Sequence, residues 1–103
     1  MLNLPNDLFS ADNPALFPLG QVVATPGALA LLEVHQMDPF TFLNRHVHGD
    51  WGDALPFEDV EANNAALIQG ERLLSAYRLG KDKLYVISEW DRSVTTLLMP
   101  SEY

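Results

Sequence analysis

The chain has 103 residues, no cysteine and a formal net charge of −8, with 14 Asp and Glu against 6 Lys and Arg. This length fits one domain with a single core. The lack of cysteine excludes disulfides and thiolate-bound zinc. No apolar run approaches the ~20 residues of a membrane helix. Direct nucleic-acid binding is not expected, because it draws its affinity from clustered cations, and the basic residues here are few and scattered.

Residues 1–19 are predicted to form an arm that precedes a single α+β domain of residues 20–103. Three prolines, together with several Asn and Asp residues, argue against a long regular element in this arm. Its apolar side chains still need cover, so we expect the arm to lie against the domain; they are Leu8, Phe9, Leu16 and Phe17. The first residues lack the basic region and the apolar run of a signal peptide, which predicts a cytoplasmic location.

Two helix starts follow one short strand. The β-branched run at 21–24 predicts the strand, and Thr25-Pro26 and Asp38-Pro39 each combine an N-cap with proline at the first helical position. The first helix should run to about His35. Its predicted buried stripe is Ala28, Leu29 and Leu32. The second helix should be followed by Gly49, the glycine after its C-cap.

The second helix carries two of the three histidines. Helical spacing predicts Phe40, Leu43 and Val47 on the buried face, with His48 opposite them and His46 at the border. The two imidazoles would then point about 160° apart, so they could not bind one metal ion from within the helix. We therefore expect no metal site and no cofactor.

A third helix is predicted from about Phe57 to Gln69, ended by Gly70. Its predicted buried stripe is Phe57, Val60, Leu67 and Ile68. Asn64 lies within that stripe, and Asn63 lies at its edge. A buried amide needs hydrogen-bond partners, so Asn64 is expected to tie this helix to a neighbouring turn, such as residues 49–52.

The last third of the chain alternates with the period of β-strands. Residues 72–78 and 84–90 flank the polar turn Gly80-Lys81-Asp82-Lys83, which predicts a hairpin. A tight link at 91–93 leads to a third strand at 94–99. With the strand at 21–24, the predicted fold is α+β: an antiparallel sheet of about four strands with three helices on one face, in the order β-α-α-α-β-β-β.

The end of the second helix, residues 46–52, combines two imidazoles, a carboxylate and an indole between glycines. In one interpretation Trp51 covers the core and Asp50 bonds local backbone amides, as at many helix ends. In the other, Asp50 forms a polar pair with His46 or His48 beside an aromatic floor, which could serve acid–base chemistry.

Three segments carry motifs. HxxGDWG occupies positions 46–52, Gly70 to Tyr77 follows, and ExDRSxTT occupies positions 89–96. Together they resemble a family of short bacterial proteins from plasmids, phages and integrative elements, often labelled plasmid-related protein or type I restriction endonuclease subunit M. The resemblance covers roughly Gly20 to Tyr103 and implies a mobile-element setting. Trp90 stands where the resemblance leads us to expect a small residue.

The restriction label does not follow from the residues. A methyltransferase subunit needs a cofactor-binding α/β domain with a Gly-rich loop between strand and helix, and this chain has neither the length nor the loop.

Two classes of function follow. In the first, which we favour, the chain is a small acidic non-catalytic interaction protein that binds a protein partner with a basic surface, such as a host or element nucleic-acid-processing machine, in an anti-restriction, anti-defence or regulatory role. Its expected contact residues are Asp50, Trp51, Glu89, Asp91 and Arg92. In the second, it is a small hydrolase or ribonuclease-like enzyme. The candidate catalytic residues are His46, His48, Asp50, Glu89 and Arg92.

Overall fold

A five-stranded sheet carries three helices on one face in the computed structural model, which describes residues 2–4 and 14–103. The helices are α1 (Pro26–Val34), α2 (Pro39–Val47) and α3 (Phe57–Gln69). The strands are β1 (Leu2–Leu4), β2 (Gln21–Ala24), β3 (Leu73–Leu79), β4 (Asp82–Ser88) and β5 (Val94–Leu98), and a 3-10 turn follows at Pro100–Glu102. Leu8 and Phe9, which were expected to need cover, lie outside the described residues.

The strands lie in the order β1-β2-β5-β4-β3. The predicted α+β class and order of elements are confirmed, and β3, β4 and β5 form the expected antiparallel meander. The prediction of a purely antiparallel sheet is wrong, because β2 pairs in parallel with β5 and places Val22 opposite Thr95. The helices and the first hairpin form a long crossover, which allows two strands to run in the same direction. β1 adds a fifth strand, antiparallel to β2.

The ends of the helices follow the predicted capping residues. The Thr25 hydroxyl accepts a hydrogen bond from the Ala28 amide at 3.1 Å, and the Asp38 carboxylate accepts one from the Phe40 amide at 2.9 Å. Gly49 follows the C-cap of α2 with a φ of 81°. The hairpin turn is shorter than the predicted residues 80–83. β3 and β4 pair as far as Leu79 and Asp82, so only residues 80 and 81 lie between the paired strands.

The core lies between the helices and the sheet. Its fully buried members on the strands include Val22, Tyr77, Leu84, Val86 and Leu97. Phe17 and Leu19, from the segment assigned to the arm, are also buried in this core, whereas Leu16 is exposed. In the part of the chain that the structure describes, no helix is long and apolar enough to cross a membrane.

The predicted buried stripe of α3 is half wrong. Phe57 and Ile68 are 73% and 87% exposed, whereas Asn63 and Ala66 are buried. Asn63 sets this rotation, because its amide donates to the Leu74 carbonyl at 2.5 Å and its oxygen accepts from the Leu74 amide at 3.1 Å. These two hydrogen bonds attach the helix to the outer edge of β3, in the way that a neighbouring strand would be attached.

The same edge is closed further along by the loop between α2 and α3. The Ala76 amide donates to the Trp51 carbonyl at 2.9 Å, and the Ala54 amide donates to the Ala76 carbonyl at 3.1 Å. The Arg78 amide donates to the Asp53 carboxylate at 3.1 Å. An edge strand with free amides and carbonyls can pair with other chains, and these contacts prevent that along β3.

Candidate functional site

A series of hydrogen-bonded, buried hydroxyl groups surrounds His46 and joins the three motif segments. The Leu19 carbonyl can only accept, so the Thr95 hydroxyl donates to it at 2.7 Å. The Thr95 oxygen then accepts from the Ser88 hydroxyl at 2.6 Å. The Ser88 oxygen in turn accepts from Nε2–H of His46 at 2.9 Å. Nδ1 of His46 is left unprotonated and accepts from the Ser75 hydroxyl at 2.6 Å, so the chain of bonds selects one neutral tautomer.

This arrangement makes His46 a structural residue of the interior. Its side chain is 0% exposed, and burial together with the charge of Arg92 lowers its pKa from 6.5 to about 3. The predicted position at the border of the helix is therefore wrong, because α2 turns this side toward β3 and β4. A ring sealed in this way cannot touch a substrate, although it can order the core.

Asp50 pairs with an arginine instead of a histidine. Its carboxylate accepts from Nε and Nη2 of Arg45 at 2.7 and 3.2 Å, and also from the Gly52 amide at 3.2 Å. The hydrogen bond from Arg45 is the main cause that lowers the pKa of Asp50. The backbone carbonyl of Asp50 accepts from the Tyr77 hydroxyl at 2.6 Å. These contacts agree with the interpretation in which Asp50 bonds local backbone amides.

Trp51 is 3% exposed and closes the core beneath α3. Its indole N–H donates to the Asn64 side-chain oxygen at 2.9 Å, so the predicted tie between Asn64 and residues 49–52 is confirmed. The predicted place of Asn64 within a buried stripe is wrong, because its side chain is exposed and Asn63 is the buried amide. Gly52 has a φ of 94°, and a Cβ at this position would overlap the Ala76 carbonyl oxygen. Only glycine therefore allows the loop to lie this close to β3.

Arg92 joins the β4–β5 connection to the end of α3. Its guanidinium donates to the carbonyls of Glu71 at 2.5 Å, Glu89 at 2.9 Å and Ala66 at 3.3 Å. It also lies 5.5 Å from the ring centre of Phe17. The Ala66 carbonyl also accepts from the Glu71 amide at 3.0 Å. Arg92 therefore adds a favourable cation to a helix end whose carbonyl is already bonded, and it holds the turn as well.

The other predicted residues of this connection lie nearer the solvent. A carboxylate oxygen of Asp91 accepts from the amide and hydroxyl of Ser93 at 3.1 and 2.7 Å, which lowers the Asp91 pKa. Glu89 faces Arg72 at 3.9 Å. His48, at the end of α2, is half-buried and donates from Nδ1 to a backbone carbonyl one turn earlier at 2.7 Å.

The candidate catalytic residues thus have separate partners. His46 lies inside the hydroxyl chain, Asp50 on Arg45, and Glu89 beside Arg72. Among the described residues, no group of three or more His, Asp or Glu side chains is placed to hold a metal ion.

Two further features lie on the surface of the residues that the structure describes. The first is an acidic surface on α3 and the β4–β5 connection. It comprises Phe57, Glu58, Asp59, Glu61, Ile68, Glu71, Trp90 and Asp91, all exposed. From Gly49 to Glu71 the sequence has no Lys, Arg or His. Because Arg92 binds the carbonyls of both Glu71 and Glu89, the end of α3 and the connection adjoin each other.

The second feature is a cleft of about 310 Å³ between the end of α1, the outer side of α2 and the end of β3. It is lined by His35, Met37, Thr41, Phe42, Arg45, Arg78, Leu79 and Gly80. Sequence patterns did not predict this cleft, since it depends on how α1 meets the hairpin turn. The basic residues at positions 78, 81 and 83 were a visible signal that one end of the hairpin is cationic.

No protein-family model, curated protein or solved structure matches the chain.

Proposed function

We propose that this chain is a small non-catalytic interaction protein that binds a basic protein partner through the acidic surface. The observation that carries the proposal is the combination on this surface of exposed carboxylates with three large exposed apolar side chains. Phe57, Ile68 and Trp90 are 73%, 87% and 67% exposed. Isolated exposed apolar residues are ordinary, but an exposed Trp among charges has the composition of a binding hot spot.

The charge of this surface indicates the kind of partner. Carboxylates at the start of α3, at Glu71 and at Asp91 would attract a cationic surface and repel nucleic acid directly. A groove that binds DNA or RNA is a surface of this cationic kind, so a nucleic-acid-processing protein of the host or of a mobile element is the partner class we favour. The resemblance to plasmid and phage proteins supports the same setting, in an anti-restriction, anti-defence or regulatory role in the cytoplasm.

The expected contact residues divide into two groups. Asp91 belongs to the acidic surface, and Glu89 borders it beside Arg72. Trp51 is buried, and Asp50 and Arg92 are bonded to Arg45 and to backbone carbonyls respectively, so all three support the fold through the contacts described above. The enzyme alternative has less support, because one of its two candidate histidines, His46, is completely buried.

The first experiment identifies the partner and measures its charge dependence. Tagged protein is purified from its own host, co-purifying proteins are identified by mass spectrometry, and the purified pair is measured by surface plasmon resonance. We expect association to slow steeply between low salt and about 0.5 M salt, where the screening length falls below about 5 Å. A partner whose association rate is insensitive to salt would contradict the proposal.

The second experiment tests the surface itself. Changing Glu58, Glu61 and Glu71 together to Lys should slow association by about tenfold or more at low salt, and release should change less. Glu33→Lys provides the matched control for Glu61→Lys, since both are exposed glutamates on helices but Glu33 lies on α1. Equal effects of the two single changes would show that net charge alone matters and that this surface is not the contact.

The third experiment separates binding from catalysis. Trp90→Ala should speed release by about tenfold or more if the indole is an anchor, whereas His48→Gln should leave binding and biological activity intact. His48 is used alone, because a change at buried His46 would also disturb the core. Loss of activity in a plasmid-maintenance or phage-challenge assay with His48→Gln, while the three reversals are silent, would favour the enzyme alternative.

A further inference from the structure

The cleft beside α2 combines an apolar base with cationic walls. Phe42 and Leu79 are buried beneath it, and Met37 is partly exposed at its rim. Its volume of about 310 Å³ is at the lower end of the range in which proteins bind small molecules. A compact organic group fits such a space better than a long or branched one.

Arg45 enters the cleft in a fixed position. Asp50 holds two of its nitrogens, and its guanidinium carbon lies 4.5 Å from the ring centre of buried Tyr77. A guanidinium has more N–H groups than this pair uses, so donors are left for a ligand. A donor that is already ordered loses little conformational entropy when a ligand binds.

Arg78 supplies the second guanidinium. Its side chain is exposed, and it forms no hydrogen bond or ion pair with any residue that the structure describes. Thr41 adds an exposed hydroxyl one turn before Arg45 on α2. The cleft therefore offers one guanidinium without an ion-pair partner among the described residues, next to an ordered but already paired one.

The remaining charges limit the ligand to a single negative charge. Asp50 neutralises Arg45, the carboxylate of Asp53 accepts from the Arg78 amide, and the carboxylate of Asp82 lies 3.7 Å from His35 at the rim. The chain as a whole carries −8. A dianion such as a phosphomonoester would be repelled by these carboxylates more than a monoanion would.

We propose that this cleft binds a small monocarboxylate with a compact apolar body. The carboxylate contacts Arg78 and the free N–H groups of Arg45, and the apolar body lies on Phe42 and Leu79. Planar guanidinium groups match the two oxygens of a carboxylate. The site lies on the hairpin-turn side, and the seven-residue strand β4 separates it by roughly 20 Å from the connection that carries Trp90 and Asp91. None of the residues that line the cleft belongs to the acidic surface proposed to bind protein.

The test uses three probes that share one ring. Benzoate, phenyl phosphate and benzyl alcohol are titrated into ¹⁵N-labelled protein at constant ionic strength, up to about 10 mM, because ligands of this size bind in the millimolar range. We expect benzoate to shift the amide signals of Thr41, Arg45, Arg78 and Gly80 saturably. Benzyl alcohol should bind about tenfold or more weakly, and phenyl phosphate should also bind less tightly than benzoate.

A matched pair of variants locates the charge. Arg78→Gln should weaken benzoate binding about tenfold or more, since a charge-assisted hydrogen bond is lost. Lys83→Gln removes the same charge from the residue that pairs with Arg78 across the hairpin but does not line the cleft, and should change the affinity less than about twofold. Both side chains are exposed, so both variants should retain the dispersed spectrum of the folded protein.

Each other result would overturn the proposal. Absence of saturable shifts at these amides would show that the cleft is not a carboxylate site. Equal affinity for benzyl alcohol would show that the arginines do not contribute, and tighter binding of phenyl phosphate would contradict the choice of a monoanion. Equal weakening by Lys83→Gln would show that general charge, and not contact with Arg78, attracts the probe.

Discussion

The two polar regions of this molecule use their residues in opposite ways. The region around His46 and Trp51 holds the HxxGDWG motif, and its buried imidazole and indole are hydrogen-bonded within the fold. The acidic surface shares Glu71, Trp90 and Asp91 with the other two motif segments, but its residues on α3 lie outside all three, and it presents exposed carboxylates and large apolar side chains. The HxxGDWG motif in this chain therefore serves mainly the fold, and the exposed groups of the acidic surface come from residues outside it.

The two tryptophans give the sharpest form of this comparison. Trp51→Ala should cost about 3 to 5 kcal/mol of unfolding free energy, because it removes a buried ring and leaves the core unfilled. Trp90→Ala should cost less than about 0.5 kcal/mol, since its ring is exposed. Urea unfolding of both variants measures this difference. A loss below about 1 kcal/mol for Trp51→Ala would mean that the indole does not close the core.

The buried imidazole should make stability depend on pH. Because the pKa of His46 is lowered from 6.5 to about 3 in the folded protein, the unfolded chain takes up a proton between these values and the folded chain does not. Stability should therefore fall as the pH drops below 6.5, by about 2 kcal/mol between pH 7 and pH 5 for this group. Urea unfolding at both pH values measures the loss.

NMR can separate the protonation of His46 from that of the other titratable groups. The ring signals of His46 should show no titration by NMR between pH 8 and about 4.5, and His46→Gln should lose the stability change assigned to this group. Asp50, Asp91 and Glu102 also have lowered pKa values, but their ordinary values of 3.8, 3.8 and 4.5 place their contributions at lower pH. A midpoint near pH 6 for His46 would show that the ring is accessible to water.

The acidic surface should contribute least to stability. Reversing Glu58, Glu61 and Glu71 to Lys should change the unfolding free energy by about 1 kcal/mol or less in total, since exposed substitutions have small effects. The expected loss comes mainly from Glu58, because its negative charge lies in the first turn of α3 and interacts favourably with the helix dipole. Thermal melts of the variant and the parent measure the change. A loss comparable with that of Trp51→Ala would show that these side chains also support the fold.

Much of the local structure could be predicted because it depends on neighbouring residues. Thr25 and Asp38 begin helices, and Gly49 and Gly70 end them, through contacts within one turn of chain. The helical spacing correctly placed Ala28 and Leu32 of α1, and Leu43 and Val47 of α2, in the core. The strand alternation also predicted the hairpin of β3 and β4 and the third strand β5, which pair as an antiparallel meander. Such signals act over a few residues and are independent of the rest of the molecule.

The tertiary structure alone decided how α3 is rotated and what surrounds His46. The bonds from Asn63 to Leu74 rotate α3 so that Phe57 and Ile68 face outward, although their spacing suggested a buried stripe. The burial of His46 likewise depends on hydroxyls supplied by distant strands. The parallel pairing of β2 with β5, the addition of β1 and the cleft beside α2 all join segments that are remote in sequence. These arrangements arise from packing and hydrogen bonding across the whole fold, and local patterns of residues therefore do not predict them.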